Sequence, residues 1–313
     1  MNAVAGQRLR DIRSMLQGAG LAPNKALGQN FLIDRNLVDR CVDRSGVGPG
    51  DLVLEVGPGT GTLTEALLER GARVVAIELD RGLAALLRER FADRLHTAPD
   101  TTPDTAPNTA PALTPHAQNE PDRTEPGTLT LIEGDALAGK RALNAAAAAQ
   151  LGDRPFRLVA NLPYGAATPL LLVLMCDWPS CGQMHVTIQR EVADRLAAGP
   201  GSKAYGSISV VSSCVMPAER FAGLPAECFW PRPRVASSMV SLVRRARPDT
   251  HDPRALADFC QVLFSSRRKQ LGAVLRAAGR EPDPWPKGVE PTDRVEQLAP
   301  ERIAALERAA GHR

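Results

Sequence analysis

The chain has 313 residues, of which 43% are hydrophobic and 23% charged, with a formal net charge of +3. That length can bury a substantial core and points to about two domains; the mild basicity permits a local nucleic-acid patch without demanding one. No apolar run reaches membrane-spanning length, since Asp177 and Pro179 break the stretch after Met175, and the arginine-interleaved N-terminus lacks a secretion signal's apolar core.

Residues 1–22 have helical spacing at Leu9, Ile12 and Leu16 and are expected to form a mobile or loosely packed leader. In Lys25-Ala26-Leu27-Gly28-Gln29-Asn30-Phe31-Leu32, two amides stand beside two large apolar side chains. They can line a ligand's edge, or cap the helix predicted through Val38, Cys41 and Val42. Residues 51–56 read as a buried strand that runs into Gly57-Pro58-Gly59-Thr60-Gly61 and then a helix. Glycines at alternate positions let the backbone pass close to a ligand and turn sharply. The spacing is not Gly-x-Gly-x-x-Gly, and no Lys-Ser/Thr pair follows to make a phosphate loop. The next strand ends at Glu78, 21 residues beyond Gly57, where an acid is placed to accept hydrogen bonds from ribose hydroxyls. A helix through Leu83, Leu87 and Phe91 precedes residues 97–127, a Pro/Thr-rich quasi-repeat with few apolar side chains. Burial cannot offset the entropy of ordering such a stretch, so a disordered surface insertion is expected there.

The pattern resumes with a strand at 129–132 followed by Glu133-Gly134-Asp135. Asp135 is in reach of a bound base's amino group, though a Gly-Asp turn alone carries no such meaning. After an Ala-rich helix at 141–151, the apolar run 156–160 delivers Asn161-Leu162-Pro163-Tyr164 to a strand's carboxyl end, where ligand crevices of open α/β sheets lie. The Asn oxygen and a neighbouring backbone carbonyl can each accept one N–H of an amino group, and the Tyr face can stack on the ring that carries it. The same tetrapeptide also makes an ordinary turn. A fifth strand is predicted at 183–188, and residues 207–215 and 238–243 are expected to be the last strands, an antiparallel edge pair. Between those two lies Phe229-Trp230-Pro231-Arg232-Pro233-Arg234-Val235, a rigid loop able to stack on bases and hold phosphates. Beyond Pro248 the periodicity is helical, and Arg267-Arg268-Lys269 puts three cations side by side at a predicted helix. Six cysteines without a Cys-x-x-Cys pair read as reduced thiols, hence a cytoplasmic protein with no metal site.

Taken together, these blocks resemble the ribosomal RNA adenine N6-dimethyltransferase family, in particular its members acting on small-subunit (16S) rRNA. The carriers are Leu27 to Leu32, Glu55 to Gly61, Ile77-Glu78-Leu79-Asp80, Gly134-Asp135-Ala136, residues 161–164, Gln189-Arg190-Glu191-Val192, Ser202-Lys203-Ala204-Tyr205-Gly206 and residues 267–269. The resemblance implies an α/β fold: a Rossmann-like, seven-stranded S-adenosylmethionine-dependent methyltransferase domain (23–248) with a small all-α RNA-binding domain (249–313). It implies that Asn30 and Leu32 flank the cofactor, Gly57 approaches its methionine part, Glu78 holds its ribose, Asp135 its adenine, and Asn161 touches both cofactor and target. Residues 161–164 would be catalytic, and Arg232, Arg234, Arg267, Arg268 and Lys269 would hold RNA. The expected partner is 16S rRNA in the assembling 30S subunit, met by a monomer. Gly165-Ala166-Ala167, where relatives usually carry Asn-Ile-Ser or similar, and the 97–127 insertion depart from the family pattern. The rival readings are a resistance-type methyltransferase of large-subunit RNA, an assembly factor that has lost catalysis, and a small-molecule methyltransferase.

Overall fold

The computed structural model describes residues 9–96, 126–139 and 141–311. Its centre is a seven-stranded sheet built from β1 (Leu52–Val56), β2 (Arg73–Glu78), β3 (Thr128–Glu133), β4 (Phe156–Asn161), β5 (Cys181–Gln189), β6 (Ala218–Leu224) and β7 (Ser237–Val243). The strand order is β3-β2-β1-β4-β5-β7-β6, parallel except for β7, which runs antiparallel to both neighbours. From β1 the chain winds outward through β2 and β3, then crosses back to β4 on β1's other side. That reversal opens a crevice at the carboxyl ends of β1 and β4.

All five residues of β1 are buried, as befits a central parallel strand covered on both faces. Leu52, Leu54 and Val56 face one apolar cluster and Val53 the other, the alternation that a pleated strand imposes. The helices are α1 (Leu9–Gly18), α2 (Arg35–Ser45), α3 (Thr62–Glu69), α4 (Arg81–Arg90), α5 (Ala145–Leu151), α6 (Ala167–Asp177), α7 (Arg190–Leu196), α8 (Ser207–Val215), α9 (Pro253–Ser265), α10 (Leu271–Ala277) and α11 (Pro300–Ala310). Asp34, Asp80, Asn144 and Asp252 cap α2, α4, α5 and α9 by accepting main-chain N–H bonds, which fixes where each helix leaves its strand or loop. Helix α6 is apolar on nearly every side, because it is covered by the sheet on one side and by α8 and α9 on the other. The helices after Pro253 share one continuous apolar cluster with α6 and α8. The Tyr205 hydroxyl donates to the Leu298 carbonyl at 2.9 Å, across that junction.

Two expectations are corrected. Residues 207–215 form a helix, not a strand, and the antiparallel partner of β7 on the sheet edge is β6. Helix α8 is buried on almost all sides, so it lacks the polar–apolar period that separates a helix from a buried strand. Strand β6 hid because it is an exposed edge strand carrying Glu219 and Arg220. Nor is the leader loosely packed over its described part: Ile12 and Leu16 of α1 are buried against Phe31 and Leu83. The expected insertion lies, apart from residues 126 and 127, outside the described residues. Its two ends are clamped together. Leu95 bridges Leu129 in parallel, His96 N donates to Leu129 O and Leu129 N to Arg94 O, each at 2.9 Å.

Candidate functional site

A cavity of about 570 Å³ opens at the carboxyl ends of β1, β2 and β4. Its floor is the turn after β1. Gly57, Gly59 and Gly61 have φ of +71°, +63° and +84°, a region that side-chain-bearing residues rarely adopt. A Cβ on Gly57 would stand 3.1 Å from a Pro163 ring carbon, and one on Gly59 3.0 Å from the Phe31 ring. The glycines therefore let three chain segments converge on one hollow.

Glu78, at the end of β2, is 5% exposed. Its Oε2 accepts from Gly59 N at 3.0 Å and its Oε1 from Asp80 N at 2.9 Å, so both the glycine turn and the start of α4 orient it. Burial raises its pKa above the ordinary carboxylate value, against those main-chain donors, which lower it. Beneath it on β1, Glu55 accepts from Thr64 Oγ1 at 2.8 Å. Burial, with Glu78 nearby, pushes Glu55 up to about 8.

Asn161 closes β4 opposite Thr187 of β5. Its Nδ2 donates to the Asn30 carbonyl at 3.1 Å. Only the amide nitrogen can make that bond, which turns Oδ1 away as a remaining acceptor. Leu162 N donates to Thr187 O at 3.1 Å, and the Tyr164 hydroxyl lies 2.9 Å from Ser237 Oγ on β7. The tetrapeptide is thus pinned from three elements. Asn30 folds its own amide onto the Gly28 carbonyl at 2.9 Å, while Gln29 Nε2 donates to Asp80 at 3.0 Å. Gln29 also lines the cavity, and its bond to Asp80 braces it against the start of α4. Asp135 accepts from Leu137 N through Oδ1 at 2.9 Å.

Asn30, Leu32, Gly57, Glu78, Asp135 and residues 161–164 all line this one cavity. Thr187 lines it too and had no mark in the sequence, while Leu79, part of a block already singled out, was given no role there. Leu79, directly after the acid, is half exposed, an apolar side chain left at the cavity's edge. Ser237 acts from 73 residues away, beyond any local signal. Among the described residues no group of three or more His, Cys, Asp or Glu side chains is placed to hold a metal ion.

The basic residues lie outside the cavity lining. Arg232 pairs with Glu227, and Arg234 is exposed. The triplet 267–269 sits in the turn between α9 and α10, not on a helix, and it is split. Arg267 donates to Glu296 at 2.8 Å and to the Lys203 carbonyl at 3.2 Å, whereas Arg268 and Lys269 are exposed.

A family profile described as ribosomal RNA adenine dimethylase matches residues 20–98 and 111–310. Ribosomal RNA small subunit methyltransferase A of Streptomyces avermitilis is 38% identical, over 96% of this chain and 94% of the relative. The protein of the same description from Kineococcus radiotolerans is 39% identical, over 97% and 90%. Among solved structures, the 23S rRNA methyltransferase ErmE aligns with a TM-score of 0.59 at 22% identity, over 90% of this chain and 99% of that one. A dimethyladenosine transferase from Plasmodium falciparum aligns with a TM-score of 0.61 at 18% identity, over 87% and 94%. At such identities these two speak for the fold.

Proposed function

The chain belongs to the ribosomal RNA adenine dimethylase family, and on that footing we propose that it places two methyl groups on the N6 nitrogen of adenines in small-subunit rRNA. It is an rRNA methyltransferase whose relatives, named for the small subunit, match it along nearly their whole length. The observation that carries the catalytic reading is Asn161, held through Nδ2 by Asn30 beside a stacking-competent Tyr164.

The cavity suits S-adenosylmethionine as methyl donor: a glycine turn with no room for Cβ atoms, and a buried acid at the end of β2. When bound, that donor supplies a methyl already activated on sulfur. The rest falls to the protein. Glu78 accepts from the ribose hydroxyls and Asp135 from the adenine amino group, Asn30 and Leu32 flank the donor, and Gly57 admits its methionine part. The target's amino nitrogen is a poor nucleophile because its lone pair is delocalised into the ring. Asn161 Oδ1 and the Leu162 carbonyl accept its two N–H bonds, which makes the nitrogen more pyramidal and aims it. Tyr164 stacks on the base, splayed out of its helix to reach the pocket. This is catalysis by positioning and fixed dipoles. A second transfer requires room for the first methyl.

Arg232, Arg234, Arg268 and Lys269 offer exposed cations to the RNA backbone, with Arg267 holding the turn that presents the last two. We read residues 23–248 as the methyltransferase unit and 249–313 as a helical RNA-binding unit resting on it. The substrate is the assembling 30S particle, met by a monomer in the cytoplasm. The test is transfer of labelled methyl from S-adenosylmethionine to immature 30S and to 50S subunits, with mapping of the modified base. Dimethyladenine confined to the small subunit is expected. Label on the 50S subunit would reassign the protein to the resistance-type enzymes, and none on either, despite cofactor binding, would leave the fold standing without the proposed RNA target.

A further inference from the structure

Trp230 stands where three segments meet. With Phe229 it forms a two-residue strand antiparallel to Phe31–Leu32, and it opens the loop that carries Arg232 and Arg234. Its ring stacks on Phe31, with centroids 6.3 Å and planes 29° apart. The Arg13 guanidinium of α1 lies 5.2 Å from the Trp230 ring centroid. Phe31 in turn occupies the space a Cβ on Gly59 would need, and Gly59 N holds Glu78. A continuous line of contact thus runs from α1 through Trp230 and Phe31 to the floor of the cavity.

Helix α1 grips the far side as well. Ile12 and Leu16 pack with Phe31 and Leu83, and Leu21, in the segment just after the helix, reaches within 2.4 Å of where a Cβ on Gly82 would stand, in the first turn of α4. A ribbon of two residue pairs has little backbone bonding of its own, so side-chain packing on Trp230 sets its place. One strand of that ribbon lines the cavity and the other carries the basic loop.

We infer that Arg13 and Trp230 are positioning residues through which α1 couples the basic loop to the cofactor cradle, so that bound RNA tightens cofactor binding and bound cofactor tightens RNA binding. This rests on the functional reading above. The effect must be reciprocal, since a coupling between two equilibria is shared by both.

The test uses the full chain and calorimetry with S-adenosylhomocysteine, alone and in the presence of small-subunit rRNA. Trp230→Ala is expected to weaken S-adenosylhomocysteine binding about three- to tenfold through loss of the aromatic stack. Arg13→Ala, on an exposed position that leaves folding intact, should weaken it about two- to fivefold, and Trp230→Phe should recover most of the wild-type affinity. The tightening conferred by RNA in the wild type should fall toward none in Trp230→Ala and Arg13→Ala. Unchanged S-adenosylhomocysteine affinity in Arg13→Ala, or a wild type indifferent to RNA, overturns the inference while leaving the methyltransferase reading in place. A wild type that binds neither probe overturns both.

Discussion

At the end of β4, polar groups are committed before any substrate arrives: Asn161 to Asn30, Leu162 N to Thr187, and the Tyr164 hydroxyl to Ser237. In the turn between α9 and α10 the reverse holds for two of three cations, because Arg268 and Lys269 stand in solvent and only Arg267 is tied down. Both segments are short, and both join one regular element to the next. The difference follows from the work proposed for each. Aiming an amino nitrogen at a methyl group tolerates little displacement, so the aiming groups must be held by neighbours that are themselves fixed. Attracting a phosphate backbone needs charge more than geometry, and a solvated cation serves.

The contrast breaks most sharply at Asn161. Replacement by Ala should lower methyl transfer about 10²- to 10³-fold while RNA affinity measured by filter binding stays near wild type; retained turnover would remove Asn161 from the aiming role. Tyr164 separates stacking from anchoring. Tyr164→Ala should lower kcat/KM about 5- to 150-fold, the range of one base–aromatic stack. Tyr164→Phe keeps the ring and loses only the bond to Ser237, so its kcat/KM should fall several-fold at most.

On the other side of the comparison, Arg268→Ala with Lys269→Ala should weaken RNA binding and flatten its dependence on log salt by about 1.4 for single-stranded contacts, with S-adenosylhomocysteine affinity unchanged. A parallel loss of cofactor affinity would show that this turn is not a separate recognition device. Arg267→Ala should also lower the melting temperature, since it frees Glu296 and the Lys203 carbonyl.

The mildest effect concerns Glu55, a buried acid in the cavity's lining. The folded chain keeps a proton on Glu55 up to about 8, while the unfolded chain loses it near 4.5. This contribution to stability is therefore full below pH 4.5 and fades as pH rises through 8. Glu55→Gln should flatten the decline in melting temperature over that window; an unaltered profile would show that another group sets it.

Strands β1 and β4 were legible because largely buried parallel strands read as short apolar runs, and Gly57, Glu78, Asp135 and Asn161 stand at or just past strand ends, where chemistry-bearing residues interrupt such runs. What stayed hidden is what sequence distance hides. The partners that hold the tetrapeptide, Asn30, Thr187 and Ser237, come from three other segments. No local pattern announces that the Asn30 carbonyl, rather than its side chain, holds Asn161. Helix α8 was misread because nearly complete burial erases periodicity, and β6 was passed over because its edge position rewards charge. The basic triplet was visible as charge alone, and only tertiary contacts separate its structural member from its solvated ones.

The clamp that joins Leu95 to Leu129 has a use beyond this fold. It sets the spacing at which the chain leaves α4's end and enters β3, whatever the number of residues between. Leu129 stands at the start of β3 and Asp135 just past its end, so the clamp is a place to attach a fluorophore or a crosslinking arm at the end of the sheet away from the cavity, where it can report on rRNA binding without touching the site.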